Sequence, residues 1–270
     1  MAADVIAASR FRALWDSRRI LQLLVGRDLK VKYANLALGY VWTVLEPLLL
    51  AVLYWFVFTQ IFTRSVGEEP YIVFLLCGLL PWQWANGALN RSSGALSAAS
   101  KLVRSTRLPR EIWVLRTVAS RFAEFVLSLP VIVIFAALTG ATPSLHLLLV
   151  PLAVLLQLIF LVGCSLILAP VTVMYADVER LVRLLLRMLF YASAVLYGLH
   201  DVKDRLGDTF YFIFILNPLA GIFDLYRAAF FPEQWAGWGV VGITAAVSVT
   251  VLVLGLWVFR RLEGRVLKEI

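Results

Sequence analysis

Charged residues are scarce in this sequence. Asp, Glu, Lys and Arg make up only 16% of the 270 residues, whereas roughly a quarter of the residues in an average soluble domain are charged. The mean hydropathy is +0.87. So few charges and so much apolar surface exclude an ordinary water-soluble domain, and the composition indicates a protein whose solvent is the lipid bilayer.

Cysteine and histidine are also rare, at two residues each. Cys77 and Cys164 fall within long apolar runs, which excludes a secreted disulfide framework and predicts that both pack as small hydrophobic side chains. His146 and His200 each stand without a second ligand at metal spacing. No metal site is therefore expected.

The motifs that an ATPase or a membrane-embedded enzyme would need are missing. No G-x-x-x-x-G-K-[ST] phosphate loop occurs, so the chain cannot hydrolyse ATP by the usual route and its energy source must be external. No carboxylate pair, Ser/His/Asp set or Cys/His cluster supports a hydrolase or transferase, and no cofactor is predicted. Asp177 and Glu179 resemble the acidic pair of a sugar-nucleotide enzyme, but helix capping or charge balance explains them better. A transporter subunit is the class that remains.

Six apolar runs are long enough to cross the hydrocarbon core, which takes about 20 residues. The runs cover residues 37–62, 71–90, 117–138, 147–175, 181–199 and 236–259. The sequence therefore predicts an all-α membrane protein with six transmembrane helices in a single domain, residues 1–270. No short apolar h-region opens the chain, so the first span is expected to insert as its own uncleaved signal.

Basic residues are distributed asymmetrically between the predicted loops. Of 25 Lys and Arg residues, 20 lie in the N-terminal segment, the second loop, the fourth loop with the start of span five, and the tail. Four lie on the other side, and Arg121 lies within span three. Basic loops stay in the cytoplasm, so both termini are expected to be cytosolic. We expect these basic residues to contact membrane lipids and a protein partner, and no nucleic acid partner is predicted.

Residues 210–231 are apolar enough to suggest a seventh span, but Asn217-Pro218 breaks the run and Asp224 and Arg227 interrupt it. A seventh crossing would also place the basic tail outside, against the charge asymmetry. Two short re-entrant helices on the external face, within residues 201–233, are expected instead, because irregular backbone is tolerated where protein or water shields it.

The N-terminal segment has the pattern of a helix that lies in the membrane interface. Over residues 9–33, apolar residues fall on one helical face with basic residues opposite. The apolar face comprises Phe11, Leu14, Trp15, Leu21, Val25 and Leu29, and the basic one Arg12, Arg19 and Arg27. A simple membrane anchor and an active gating element fit this pattern equally well.

Polar side chains within the spans share helical faces. In one interpretation they hold helices together, with Arg121 and Glu124 forming an i,i+3 ion pair. In the other they line a path for a polar substrate, with aromatic rings as platforms for sugars and Pro47 as a hinge beside Glu46. The candidate channel or hinge residues are Trp42, Glu46, Pro47, Tyr54, Gln60, Gln83, Asn86 and Tyr191.

The basic stretch between spans two and three is expected to form a short helix over residues 97–108. Leu102 and Val103 would form a small apolar knob between Lys101 and Arg104, and Pro109 would end the helix. One interpretation is docking to a partner ATPase; the alternative is a loop that only enforces topology or touches anionic lipid. The candidate coupling residues are Lys101, Leu102, Val103, Arg104, Ser105, Arg107 and Leu108.

Residues 27–47, RDLKVKYANLALGYVWTVLEP, resemble the entry to the first span of ABC-2 type permeases that export polysaccharides, the Wzm and TarG kind. The shared pattern is a basic RD-L-x-x-x-Y stretch followed by LG-x-x-W-x-x-L-x-P. Weaker matches are Leu108-Pro109, Asp177-Val178, and Asn217-Pro218-Leu219 followed by Tyr226-Arg227. Relatives often have Arg immediately before that Asp, where this chain has Ala176.

The resemblance implies a homodimer of six-span subunits bound to two copies of a separate ATP-binding subunit in the bacterial cytoplasmic membrane. It implies that residues 97–108 are the coupling helix and that the external helices are a gate, with Asn217, Pro218, Tyr226 and Arg227 as its candidate residues. The implied cargo is a lipid-linked polysaccharide such as an O-antigen, a teichoic acid or a galactan.

Three other functions stay open at this stage. An ABC-2 permease for a small hydrophobic compound would share the fold. A membrane-bound glycosyltransferase would need a set of acidic residues that this sequence lacks. A secondary transporter would be expected to show an internal repeat, and the two halves of this chain show none.

Overall fold

The computed structural model describes residues 12–34, 38–57, 68–106 and 108–269, and no β-strand occurs among them. Within these ranges three 3₁₀ helices, Gly39–Val41, Leu145–Leu149 and Pro232–Gln234, join longer α-helices. The α-helices are α1 (Arg18–Tyr33), α2 (Trp42–Phe56), α3 (Tyr71–Ser93), α4 (Ala95–Ala98), α5 (Ser100–Ser105), α6 (Glu111–Thr139), α7 (Val150–Met174), α8 (Asp177–Ala192), α9 (Leu199–Leu206), α10 (Asp208–Ile215), α11 (Pro218–Ala228) and α12 (Trp238–Glu269).

Five helices of the described chain are long and apolar enough to cross a bilayer. They correspond to predicted spans one, two, three, four and six, and cover Gly39–Phe56, Tyr71–Ser93, Glu111–Thr139, Leu145–Met174 and Trp238–Glu269. Helices α10 and α11 together meet the same test but are bent by 92°. The bend lies at Asn217-Pro218, where the sequence predicted a break.

Predicted span five is shorter than expected. Its helix α8 ends at Ala192 and has 16 residues, so it is about 24 Å long, whereas the hydrocarbon core is about 30 Å thick. The prediction extended the helix to Leu199, and that was wrong. The chain leaves the helical path at Ala194, which has a positive φ of 53°, because the carbonyl groups beyond this point are bonded to α11 instead.

Helix α3 is the central helix of the bundle. In its span-length window 83% of the residues are buried, and it packs against α2, α6, α7, α8 and α11. Its own side chains, including Phe74, Leu75, Leu76 and Trp84, form much of the hydrophobic core. A helix that is buried on most of its surface by other helices serves as the frame that holds the polar positions of its cavity side, such as Gln83.

Helices α7 and α12 approach each other to backbone contact. A Cβ atom added at Gly255 would lie 2.3 Å from the carbonyl oxygen of Gly163, and one added at Gly163 would lie 2.6 Å from the amide nitrogen of Leu252. Such close approach requires glycine on both helices, as is common where membrane helices associate through van der Waals packing.

Ion pairs join elements at the end of the bundle where α3 ends and α6 begins. Asp28 of α1 accepts hydrogen bonds from Arg116 Nη2, from Arg116 Nε at 2.7 Å and from Ser120 Oγ at 3.0 Å. Arg110 Nη1 lies 2.7 Å from Glu263 Oε1 near the end of α12. Burial alone would raise the pKa of Asp28, but the hydrogen bonds and charge of Arg116, with Ser120, hold this pKa below its ordinary value.

Candidate functional site

A cavity of about 880 Å³ opens between the end of α1 and helices α2, α3, α6 and α8. Six of the eight predicted channel or hinge residues line it, together with both residues of the predicted ion pair. Trp42 is not part of the lining and is 38% exposed at the start of α2. Gln60 lies outside the described residues. The lining residues among the predicted set are Glu46, Pro47, Tyr54, Gln83, Asn86, Tyr191, Arg121 and Glu124.

One face of α8 carries charges at its start and an aromatic ring at its end. Glu179, Arg183, Arg187 and Tyr191 line the cavity at intervals of four residues, which is the spacing of one helical face and covers about 18 Å. The opposite side of α8 is apolar and borders a second groove of about 580 Å³, and Leu186 borders both. Helix α8 therefore separates the cavity, which its polar side faces, from the second groove, which its apolar side faces.

The cavity has a charged end and an aromatic end. Charges come from the first turns of α8, the last turns of α3 and the end of α1. Aromatic rings bound the opposite end of the cavity. Phe190 lies at the centre of these rings: its centroid is 5.5 Å from that of Trp82, 6.2 Å from Tyr54 and 5.1 Å from Tyr191. Such rings present apolar faces with polar groups at their edges, which is the surface that a sugar ring can stack on.

Two carboxylates of the lining are paired with cations. Glu124 Oε2 lies 2.6 Å from Arg121 Nη1 on the same helix and 3.0 Å from Lys32 Nζ at the end of α1. Glu179 Oε1 lies 2.6 Å from Arg183 Nη1. The first cluster joins span three to the N-terminal helix, so it serves both as a contact between helices and as part of the cavity wall.

The turn between α1 and α2 explains the RD-L-x-x-x-Y and Leu-Gly pattern of the sequence. Asp28 holds α1 against α6, Tyr33 reaches the cavity, and its ring centroid lies 4.8 Å from that of Tyr40. Gly39 has a φ of 48°, in the left-handed region where glycine carries no steric penalty. Pro47 then lies inside α2, buried, beside the exposed Glu46.

The predicted coupling stretch forms two short helices instead of one. Helices α4 and α5 are separated by a break at Ala99. Leu102 is 40% exposed, but Val103 is only 4% exposed and packs with Trp113 in a core cluster. The expectation that both residues form an exposed knob was therefore wrong for Val103, because its side chain belongs to this core cluster. Lys101, Arg104 and Ser105 are exposed, Leu108 is half-buried, and Arg107 lies outside the described residues.

The predicted gate residues hold α11 against the chain that follows α8. Arg227 is buried and donates hydrogen bonds from Nη1 to the carbonyl oxygens of Ala194 and Tyr197, both at 2.7 Å, and from Nη2 to that of Val195 at 2.6 Å. Its guanidinium also lies 4.0 Å from the centroid of the Phe74 ring. These contacts make Arg227 a clamp between α11, α3 and the segment after α8.

Asn217 makes a second set of contacts at the same place. Its side chain accepts a hydrogen bond from the amide of Leu219, which caps α11, and its Nδ2 donates to Ala192 O at 3.1 Å and Ser193 Oγ at 2.8 Å. Pro218 and Tyr226 are buried. All four predicted gate residues thus lie in or beside the well-packed helix α11.

Several cavity residues were not among the predicted site residues. Lys32 and Tyr33 were assigned to a surface helix, although the Tyr in the RD-L-x-x-x-Y pattern was a usable signal. Arg183 and Arg187 lie in predicted span five at intervals of four residues with Tyr191, and this spacing was the signal that pointed to the cavity. Glu179 was attributed to charge balance and is a lining residue with an ion pair.

Comparison with known proteins adds independent evidence. Residues 19–231 match the family model described as ABC-2 type transporter. The chain is 32% identical over 241 residues to the O-antigen export system permease protein RfbA of Myxococcus xanthus, which covers 89% of this chain and 91% of the relative.

Two further relatives match over a similar length. An O-antigen export system permease protein RfbA of Klebsiella pneumoniae is 32% identical over 247 residues, covering 91% of this chain and 93% of the relative. The polysialic acid transport protein KpsM of Escherichia coli is 25% identical over 252 residues, covering 92% of this chain and 95% of the relative.

Proposed function

Because the chain belongs to the ABC-2 type transporter family, we propose that it is the permease subunit of an ATP-driven exporter whose cargo is a polysaccharide. The chain carries no phosphate loop, so a separate ATP-binding subunit supplies hydrolysis. The names of relatives that match over about nine tenths of the chain support an O-antigen or a polysialic acid type of glycan as the cargo.

The observation that carries this proposal is the composition of the cavity wall. Amide side chains such as Gln83 and Asn86 supply donors and acceptors for hydroxyl groups, and the rings around Phe190 supply apolar faces. A sugar has both kinds of surface, whereas a hydrocarbon chain has only the apolar one. Polar side chains within spanning helices are costly and are typical of a substrate path.

Export of a small hydrophobic compound is less well supported. Five basic and three acidic side chains line the cavity: Lys32, Arg91, Arg121, Arg183, Arg187, Glu46, Glu124 and Glu179. An apolar molecule would have to displace the water around these charges without replacing its hydrogen bonds, which costs free energy. A hydrated, hydroxyl-rich chain avoids that cost.

We place a second copy of the chain against α2 and α8, and two ATP-binding subunits on the cytosolic side. Both helices line the cavity, and both carry large exposed apolar residues, such as Leu53 at 55% and Met188 at 60%. A second copy packed there would cover these residues and close the cavity into a channel between two subunits.

Coupling to the ATP-binding subunit is assigned to residues 97–108. Leu102 is an exposed apolar side chain with exposed Lys101 and Arg104 on either side of it in the sequence, which is the arrangement of an apolar anchor with a charged rim. Both termini are placed in the cytosol of a bacterial cell on the basis of the basic asymmetry. Helix α1 then lies in the cytosolic interface, and α9 to α11 form the external re-entrant gate.

A cellular export assay tests the proposal. Deletion of the gene in its host is expected to remove a surface polysaccharide and to leave its lipid-linked precursor inside the cell, and the wild-type gene should restore export. Tyr191→Ala should restore export poorly, because it removes a ring from the aromatic end of the cavity. Tyr175→Ala is the matched control, since Tyr175 is 64% exposed and is not a lining residue. An unchanged surface polysaccharide in the deletion strain would contradict the proposal.

A further inference from the structure

Helix α12 is longer than a membrane crossing requires. Its 32 residues, Trp238–Glu269, cover about 48 Å at 1.5 Å per residue, whereas the hydrocarbon core is about 30 Å thick. Four basic residues lie within residues 260–269, so this part of the helix, the α12 extension, lies beyond the hydrocarbon. The ion pair of Glu263 with Arg110 places the extension at the same end of the bundle as the coupling stretch, residues 97–108.

The α12 extension packs against the rest of the protein. Val266 in the extension and Phe259 at its base are each 2% exposed, and both belong to one buried cluster with Val103 of α5. The same cluster includes Leu96 of α4 and Trp113 of α6. Burial of these side chains is favourable because it removes apolar surface from water. The coupling stretch therefore shares its hydrophobic base with α12 and α6.

An ion pair holds the same elements together at the point where the chain enters α6. Arg110 is the N-cap residue of α6, and its Nη1 atom lies 2.7 Å from Oε1 of Glu263. The two side chains are 28% and 14% exposed. Partly exposed ion pairs contribute little to the stability of a fold, but a charge-assisted hydrogen bond is short and directional. The pair therefore fixes the position of the coupling stretch relative to α12 more than it stabilises the chain.

Helices α12 and α7 are packed closely enough to move as one unit. Their backbones touch at Gly255 and Gly163, where a Cβ atom added at Gly255 would lie 2.3 Å from the carbonyl oxygen of Gly163. Leu166 and Ala169 of α7 also belong to the buried cluster at the base of the coupling stretch. Close-packed interiors have low compressibility and transmit displacement. A displacement of the coupling stretch would therefore reach α7 and α12, in addition to α3 and α6, which the stretch joins in the sequence.

We propose that Glu263 is a positioning residue for coupling, which acts through Arg110 to hold the coupling stretch on the α7–α12 pair. The contact transmits the movement of the ATP-binding subunit to these two spans, although Glu263 itself lies outside the stretch that the subunit contacts. The inference rests on the proposed function, because it takes residues 97–108 as the contact with the ATP-binding subunit.

The test measures export and ATP hydrolysis separately. Variants are expressed with the ATP-binding subunit in the deletion strain, surface polysaccharide is quantified, and ATP hydrolysis by the purified complex in proteoliposomes is measured without cargo. Glu263→Gln is expected to lower export by about fivefold or more, the lower end of the range for coupling between two sites. Copurification of the ATP-binding subunit, ATP hydrolysis and the melting temperature should stay at the level of the parent complex, because the contact with that subunit is intact.

A charge exchange and a matched control complete the experiment. Arg110→Glu alone should also lower export, and Arg110→Glu combined with Glu263→Arg should restore it, because the ion pair forms again in the reverse direction. Glu269→Gln is the matched control: it makes the same change on the same helix at an exposed residue, and export should stay normal.

The outcomes separate this inference from the proposed function. Normal export by Glu263→Gln, an equal loss in Glu269→Gln, or failure of the double variant to export more than either single variant would overturn the positioning role. A loss of export that only follows a loss of assembled complex or of melting temperature would also overturn it, because the pair would then be a brace of the fold. The proposed function fails by a different result, namely an unchanged surface polysaccharide in the deletion strain.

Discussion

Replacement of Arg227 by methionine tests whether α11 is clamped as the structure indicates. Methionine is similar in length, but it removes three hydrogen bonds of 2.6–2.7 Å to the carbonyl oxygens of Ala194, Val195 and Tyr197. It also removes a longer hydrogen bond of 3.5 Å from Nε to the carbonyl oxygen of Phe74 and the charge that faces the Phe74 ring. Hydrogen bonds from a charged group contribute about 1.5–3 kcal/mol each, and a buried acceptor left without a partner is costly.

The expected loss is smaller than the sum of the three bonds, because methionine also avoids the cost of burying a guanidinium. We expect a net loss of about 4 kcal/mol in the free energy of unfolding, which corresponds to a fall of about 10 °C in melting temperature for a chain of this size. Thermal unfolding in detergent, followed by tryptophan fluorescence, measures this fall.

Arg205→Met is the matched control, since Arg205 lies at the exposed end of α9 and should change the melting temperature by no more than about 1 °C. If Arg227→Met unfolds within about 2 °C of the parent protein, the clamp is energetically unimportant. In that case the role of Arg227 would have to be sought in gating.

Other perturbations address the remaining contacts. Gly255→Ala would place a methyl group 2.3 Å from a facing carbonyl oxygen and should lower the melting temperature by several degrees. Gly242→Ala on the same helix, where an added Cβ has no atom within 4 Å, should leave it unchanged. Equal melting temperatures of the two variants would refute the close contact. Leu102→Asp should reduce copurification of the ATP-binding subunit without lowering the melting temperature, whereas Val103→Asp should destabilise the chain itself. If the ATP-binding subunit copurifies normally with Leu102→Asp, the stretch serves only to set the membrane topology. Because the pKa of Asp28 is lowered in the folded protein, its ion pair should stabilise the fold fully above the ordinary pKa of an aspartate, about 4, and this stabilisation should decline as the pH falls from there through the lowered pKa. Asp28→Asn should therefore lower the melting temperature more at pH 7 than at pH 3, and an equal effect at both values would contradict this reasoning.

The sequence determined the class of protein and most of its helices. Runs of about 20 apolar residues cross a bilayer as helices, since a helix forms the hydrogen bonds of every backbone polar group within its own segment. The break at Asn217-Pro218 was also predictable, because proline lacks the amide that a continuous helix needs. Helical periodicity placed Glu46, Gln83 and Tyr191 on polar faces, and all three line one cavity.

Tertiary structure decided which of these faces meet and where helix α8 ends. Asp28 and Arg116 are 88 residues apart, and Arg227 bonds carbonyl groups more than 30 residues earlier. Periodicity reports the direction of a side chain on its own helix but not the neighbour that it contacts. For this reason the sequence could not distinguish the buried Val103 from the exposed Leu102, because that distinction depends on how the rest of the fold packs around α5.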